Sequence, residues 1–194
     1  FNQTIKRLFD LAVSLPVVLI ALPALTLLVW ASQCIQSPGP VFFRQKRGGK
    51  GGAPFTILKF RSMKHMPSGV VDELQAIRND DRTYAFGRFI RKFSIDEFPQ
   101  FINVLLGHMS VVGPRPSPRD ENQFCPAWRE ARLSVRPGVT GLWQVSRTRR
   151  AGLDFQEWIK FDIEYVENRS WRLDVMIIWK TIKILLGIEK RQTG

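Results

Sequence analysis

Histidine and cysteine are scarce in this chain: its 194 residues hold two of each, His65 and His108, Cys34 and Cys125. The cysteines stand far apart and in no metal-ligand spacing, which argues against both a zinc cage and a disulfide framework. Two reduced thiols in a cytoplasmic milieu are the remaining expectation. Acidic side chains are also outnumbered, 17 against 29 lysines and arginines, for a formal charge of +12. Such a surplus calls for anionic partners: nucleic acid, acidic lipid headgroups or phosphate-bearing small molecules. No RNA- or DNA-reading motif is present, and a long apolar segment argues against nucleic acid. The glycine run Gly48-Gly49-Lys50-Gly51-Gly52 lacks the closing Lys-Ser/Thr pair of a nucleotide phosphate loop, so it reads as a turn. At this length, one compact domain with a real core is expected rather than two.

From Leu11 to Ala31 the chain carries no charge, and its only hydroxyl side chains there are Ser14 and Thr26. The segment is long enough to cross a bilayer as a helix, and it lacks the short core and small-residue cleavage site of a signal peptide. Its flanks are basic on both sides: Lys6 and Arg7 precede it, and Arg44, Lys46, Arg47 and Lys50 follow. Because positive residues favour the cytoplasmic side, a helix that dips into one leaflet and returns satisfies both flanks, whereas a straight span strands one cluster outside. Pro16 and Pro23 each remove a backbone donor and permit a bend, freeing the carbonyls of Ala12 and Leu19. Ser14 is placed to satisfy freed backbone groups. An ordinary transmembrane anchor with tolerated prolines is the competing reading.

After Ser37-Pro38-Gly39-Pro40, a turn that ends the helix, Val41 to Phe43 and Phe55 to Phe60 read as two strands of a hairpin. Residues 66 to 83 are polar and turn-rich and read as a surface loop. Phe86, Phe89, Ile90 and Phe93 share one face of a basic amphipathic helix, suited either to an anionic membrane or to inward packing. Residues 98 to 106 form a short apolar helix and residues 155 to 168 a charged one. The stretch Asp174 to Arg191 predicts a helix whose Trp179 and lysines border an apolar face, a pattern for the bilayer interface or for the core.

The sharpest local signal is Ser94-Ile95-Asp96-Glu97-Phe98-Pro99. Serine followed by glutamate three places on is a capping box, and proline is comfortable early in a helix, so a helix is expected to start here. Capping is then a sufficient role for Glu97. Against that, a helix start attracts phosphate and keeps a neighbouring carboxylate ionised. Arg91 lies five residues before Asp96, and Gly113-Pro114-Arg115-Pro116 offers a second guanidinium on a stiff turn. Two carboxylates in a basic chain also suit a divalent cation bridging to pyrophosphate, magnesium rather than zinc.

The chain resembles the monotopic phosphoglycosyl transferases, bacterial sugar transferases acting on polyprenyl phosphate. The likeness runs through KRLFD at 6 to 10, SPGPVFFRQKRGG at 37 to 49, KFRSM at 59 to 63 and IRKFSIDEFPQFINVLLGHMSVVGPRP at 90 to 116. It continues through VRPGVTGLWQV at 135 to 145 and FDIEYVENRSWRLD at 161 to 174. Several motifs in order are more specific than any one. The resemblance implies Asp96 as nucleophile with Glu97 as its acidic partner, magnesium held by both, a UDP-sugar donor and a polyprenyl (undecaprenyl) phosphate acceptor. It implies release of UMP through a covalent aspartyl phosphosugar, and a role in starting polysaccharide or glycoconjugate assembly.

Lys59, Arg61, Arg91, Arg115, Arg136 and Gln144 are the expected substrate and phosphate contacts, with Asp162 and Asp174 supporting them; turn formation and helix salt bridges are alternatives for several of these. Relatives commonly break the membrane helix at a Ser-Pro pair, whereas this chain reads Leu22-Pro23, with Ser14 and Pro16 nearby. The expected fold is mixed α+β and predominantly helical: a re-entrant membrane helix over 1–36, then a catalytic region over 37–194 with a small hairpin and interfacial amphipathic helices. Together they make one monotopic catalytic domain, on the cytoplasmic face of a bacterial inner membrane and among its phospholipids. Self-association is left open. A basic membrane-associated adaptor with a structural Asp-Glu pair is the rival, and it predicts no turnover and no magnesium dependence.

Overall fold

The computed structural model describes residues 2–64, 81–117, 126–146 and 155–188. It is mixed α/β and mostly helical, with two small two-stranded sheets. The chain opens with helix α1 (Gln3–Pro16), passes through a π-helical turn (Val17–Ala21) and continues as α2 (Leu22–Gln36). The turn lies between the two prolines: the Leu22 N–H reaches back five residues to the Val17 carbonyl. Accommodating a proline by a local π adjustment is what freed carbonyls allow. The Ser14 carbonyl accepts the Val17 N–H at the entry to this turn, whereas the Ser14 hydroxyl, expected to help here, is fully buried with no hydrogen-bond partner among the described residues. Thr26 instead donates to the Leu22 carbonyl at 2.7 Å.

The stretch Gln3–Gln36 is long and apolar enough to cross a membrane. It is not a free rod. Asp10, Ser14, Leu22, Val29 and Gln33 are all buried, and their spacing keeps them on one stripe against the rest of the chain. Leu15, Leu19, Ile20, Leu27, Leu28 and Trp30 are exposed on the other sides. At one end, the Arg7 guanidinium donates to the carbonyls of Val104 (2.6 Å) and Leu105 (2.8 Å), and Asp10 accepts from Ser110 Oγ and the Val111 N–H, both at 3.0 Å. At the other end, Gln33 Nε2 donates to the Arg61 carbonyl at 2.8 Å.

Strands β1 (Phe42–Gly48) and β2 (Pro54–Phe60) form the expected antiparallel hairpin, longer on its first arm than the apolar pattern predicts, with Phe42 opposite Phe60. Helix α3 (Ala85–Lys92) leads through a 3₁₀ turn (Ile95–Glu97) into α4 (Gln100–Leu105). The free edge of β2 is closed by α4. The Asn103 side chain accepts from the Leu58 N–H (3.0 Å) and donates to the Thr56 carbonyl (2.8 Å), imitating a neighbouring strand.

Then come β3 (Ser110–Val112), α5 (Pro126–Leu133), β4 (Gly138–Thr140), α6 (Leu142–Ser146), α7 (Phe155–Glu167) and α8 (Trp171–Leu185). The parallel pairing of β3 with β4 was not anticipated. Helix α8 starts three residues before the expected Asp174, capped by Ser170, and stops at Gly187 in the left-handed region, with the Ile188 N–H on the Lys183 carbonyl. The loop expected at 66 to 83 lies largely outside the described residues.

Two apolar clusters carry the packing. One gathers Ile57, Val104, Met109, Val112, Tyr165 and Ile177 under the hairpin and α8. The other joins Leu22 and Val29 of the apolar helix to Phe60 and Ile90. The second cluster packs the apolar helix against the hairpin and α3.

Candidate active site

Four charged side chains converge where β2, α3 and the 3₁₀ turn meet. Lys59 Nζ lies 2.8 Å from Glu97 Oε1, with both side chains only partly exposed. Asp96 precedes Glu97, and the charges of Lys59 and Arg91 both act on it. The chain reaches this arrangement through Ser94, whose φ of 54° is the only positive value among the described non-glycine residues. That conformation reverses the direction of the chain directly after α3, at a cost of roughly 1–2 kcal/mol. The surrounding contacts must hold it.

The expected capping box is therefore absent. Ser94 makes no side-chain cap, and Glu97 faces Lys59 instead of reaching back to a helix start. The reason is steric as well as electrostatic: a capping serine needs extended backbone, which the left-handed Ser94 does not have. The pair stands on a tight turn before α4, not in the first turn of a long helix.

Burial and the adjacent Glu97 push the Asp96 carboxyl up to about 7, against the pull of Lys59 and Arg91. A carboxylate poised between ionised and neutral, with two cations at hand, is primed for binding a further cation or attacking an electrophile. Two neighbouring carboxylate groups offer hard oxygen donors. Among the described residues no three carboxylate, histidine or cysteine side chains gather to hold an ion alone. That donor set fits magnesium, which binds through one or two carboxylates and completes its shell with water and substrate phosphate. It does not suit a closed zinc site.

The other expected residues fall elsewhere. Arg61 is buried and donates to the Pro40 carbonyl (2.7 Å), the Ser37 hydroxyl (2.7 Å) and carbonyl (2.5 Å) and the Met63 carbonyl (3.0 Å). Three of its five N–H groups thus secure the loop that ends the apolar helix and a fourth holds the Met63 carbonyl, so the structure gives it a clamping role there. Arg115 stacks its guanidinium 4.9 Å from the Trp143 ring centroid. Arg136 donates Nε to the Gly107 carbonyl at 2.8 Å, and Gln144 accepts the Gly141 N–H at 3.1 Å.

Asp162 pairs with Arg132 at 2.9 Å and accepts weakly from the Arg115 N–H, so it supports the Arg115 turn. Burial raises its carboxyl to about 6. Asp174 accepts from Lys6 (3.0 Å) and from the Tyr165 hydroxyl (2.8 Å), joining α8 to the start of α1. Burial raises Asp174 also.

Sequence reasoning did not single out Asp10, Arg132 or Asn103. For Asp10 a signal existed: Lys6 stands four residues earlier, on the same helical face, and the two pair at 2.9 Å.

Residues 1–187 match the family model described as bacterial sugar transferase, and the chain belongs to that family of enzymes. A UDP-glucose:undecaprenyl-phosphate glucose-1-phosphate transferase of Caulobacter vibrioides is 42% identical, over 93% of this chain and 69% of its own length. An undecaprenyl-phosphate galactose phosphotransferase of Salmonella typhimurium is 39% identical over 95% of this chain but only 41% of its own. The exopolysaccharide production protein ExoY of Sinorhizobium fredii is 36% identical, over 91% of this chain and 83% of its own length. The chain therefore spans most of some relatives and about two fifths of others.

Proposed function

We infer that this chain transfers a sugar 1-phosphate from a UDP-sugar to undecaprenyl phosphate, starting the assembly of a polysaccharide or glycoconjugate. The observation that carries the reading is the Asp96-Glu97 pair on its tight turn, with Lys59 paired to Glu97 and the charges of Lys59 and Arg91 acting on Asp96. The names of the relatives supply the substrate classes.

Ionised Asp96 attacks the phosphorus that bears the sugar. The bond from that phosphorus to the bridging oxygen breaks, its electron pair leaves with UMP, and the sugar phosphate stays on the carboxylate as an acyl phosphate. A phosphate oxygen of the lipid then attacks the same phosphorus and releases the carboxylate. Lys59 and Arg91 favour the ionised nucleophile and counter the negative charge of the incoming diphosphate. Glu97, held by Lys59, is oriented beside Asp96, and the two would hold magnesium. When bound, magnesium neutralises the diphosphate and eases departure of the nucleotide. Arg115, whose guanidinium lies over Trp143 and whose backbone is held by Asp162 and Arg132, is the next guanidinium proposed to meet phosphate.

The apolar helix dips into one leaflet and leaves both ends on the cytoplasmic side. Its two ends are bound to the same body, by Arg7 and Asp10 near the start and Gln33 near the finish. A helix of 34 residues is about 50 Å long, so standing it across a bilayer would drag the charged domain into hydrocarbon. Exposed Trp171, Val175, Trp179, Ile182 and Leu186 form a second apolar stripe along α8, suited to the same surface. The lipid acceptor cannot leave the bilayer, so the nucleophile has to work at headgroup level.

The test is transfer by purified protein in lipid nanodiscs. Asp96→Asn is expected to abolish UMP release and product, and wild-type protein given labelled donor without acceptor is expected to retain labelled sugar phosphate after denaturation. Turnover near wild-type in Asp96→Asn would rule the nucleophile out.

A further inference from the structure

An open cleft lies between the first turns of α1, strand β3, the segment 134–136 and the end of α7. Its wall is basic: Lys6, Lys50, Arg136 and Arg169 line it, and Asp10 is the one acidic residue in the described lining. Asp10 is buried and already accepts from Lys6, Ser110 Oγ and the Val111 N–H. Lys6 pairs with Asp174 as well. Counting that second carboxylate, the cations still exceed the acids by two.

The unneutralised charge sits on three groups. Lys50 is exposed and makes no ion pair among the described residues. Arg136 is held through Nε by the Gly107 carbonyl at 2.8 Å, and Arg169 through Nε by the Val166 carbonyl at 3.0 Å. Fixing a guanidinium by Nε sets its plane and leaves the two terminal nitrogens for another acceptor. Two such forks and an ammonium around a concave space match the oxygens of a tetrahedral anion.

We propose that this cleft binds a phosphate group, as a site separate from the Asp96-Glu97 pair. None of Lys59, Arg91, Asp96 and Glu97 lines it. The pair precedes α4, whereas Gly107, which orients Arg136, follows it, so six helical residues, about 9 Å of rise, stand between. The source is either a free phosphate compound or a lipid headgroup. Orientation favours the former: Gln3, Lys6 and Asp10 share one face of α1, while exposed Ile5, Leu8, Leu15 and Leu19 lie on another, towards lipid. An occupant would bridge α1, the segment before β4 and the end of α7.

The experiment uses the full chain in phosphatidylcholine nanodiscs and follows hydrogen exchange of the peptides around 110–112 and 134–137. Inorganic phosphate is compared with chloride at equal ionic strength. Phosphate is expected to slow exchange in both peptides with a saturable dependence. Lys50→Gln combined with Arg169→Gln is expected to weaken half-saturation about tenfold or more, which corresponds to about 1.4 kcal/mol. Lys50→Gln alone, at an exposed position, is expected to weaken it in part and guards against misfolding of the double variant. Asp96→Asn is expected to leave the response intact. An unchanged response in the Lys50 and Arg169 variants, or its loss in Asp96→Asn, overturns the proposal. Replacing part of the phosphatidylcholine with phosphatidylglycerol identifies the source: competition with phosphate means a headgroup, and no competition means a free phosphate.

Discussion

Lys59 on the second hairpin strand and Glu97 on the turn before α4 face each other at 2.8 Å, across 38 positions of sequence. The contact fixes the carboxylate pair to the sheet and places a cation beside Asp96. Because Lys59 holds the Asp96 carboxyl down against burial and Glu97, removing it has a defined sign. Lys59→Met is expected to raise the Asp96 pKa further, so the acidic limb of the kcat/KM profile moves to higher pH. Activity on the plateau should fall on the order of 100-fold, as for loss of a charged group that stabilises a transition state. A profile of unchanged shape would mean that Lys59 serves only to position Glu97.

Arg61 carries a prediction opposite to the one its place in the KFRSM motif suggests. Its guanidinium is engaged with three backbone carbonyls and a hydroxyl around the end of α2. Arg61→Met leaves those acceptors buried and unpaired, at a cost of about 3 kcal/mol or more. The expected outcome is a large drop in unfolding temperature, with the donor KM of the surviving folded protein little altered. A raised KM at unchanged stability would restore Arg61 to the substrate.

These two residues show why the sequence was legible in some places and not in others. Lys59 and Arg61 alternate with apolar neighbours in the same short run, and nothing local separates a lysine that meets an acid from an arginine that meets the carbonyls of Ser37 and Pro40, more than 20 positions away. The apolar helix, the hairpin, α7 and α8 announce themselves by runs and periods long enough to read. The β3 and β4 strands, three residues each among glycines and prolines, are too short to show a period, and their parallel pairing is set by tertiary packing. The Asp-Glu pair was visible as chemistry, but its local structure was not, because the capping pattern assumes extended backbone at Ser94 and the fold turns it left-handed.

Asp162 makes stability depend on pH. It is buried against Arg132, and burial nevertheless raises its carboxyl to about 6, above the unfolded value of about 3.9. Between those values the folded state holds the proton more firmly. This group's contribution to stability is therefore fullest below about pH 4 and is lost as pH rises through about 6, by an amount on the order of 3 kcal/mol. Asp162→Asn should remove that slope while lowering stability overall, because the buried Arg132 guanidinium loses its carboxylate partner. Chemical denaturation of both proteins from pH 4 to 7 checks it: parallel curves would show that Asp162 does not titrate in this range.

The crossing of β3 and β4 leaves no room for a side chain. A Cβ added at Gly138 would run into the backbone nitrogen of Gly113 and the carbonyl of Thr140, and one at Gly113 would lie 2.6 Å from the Arg136 carbonyl. All of these are main-chain atoms, and the Gly113 N–H and Thr140 carbonyl also bond to each other across the pairing, beside the Ser110 N–H on the Pro137 carbonyl. Relief requires the strands to part, not a rotamer to turn. Gly138→Ala is thus expected to cost several kcal/mol, more than the roughly 1–3 kcal/mol of ordinary overpacking. Because Arg115 leaves β3 directly after Gly113-Pro114, the same separation should displace its guanidinium from the Trp143 face. Tryptophan fluorescence and donor KM are then expected to change together with stability; a stable Gly138→Ala protein with wild-type kinetics would show that the close approach is not required.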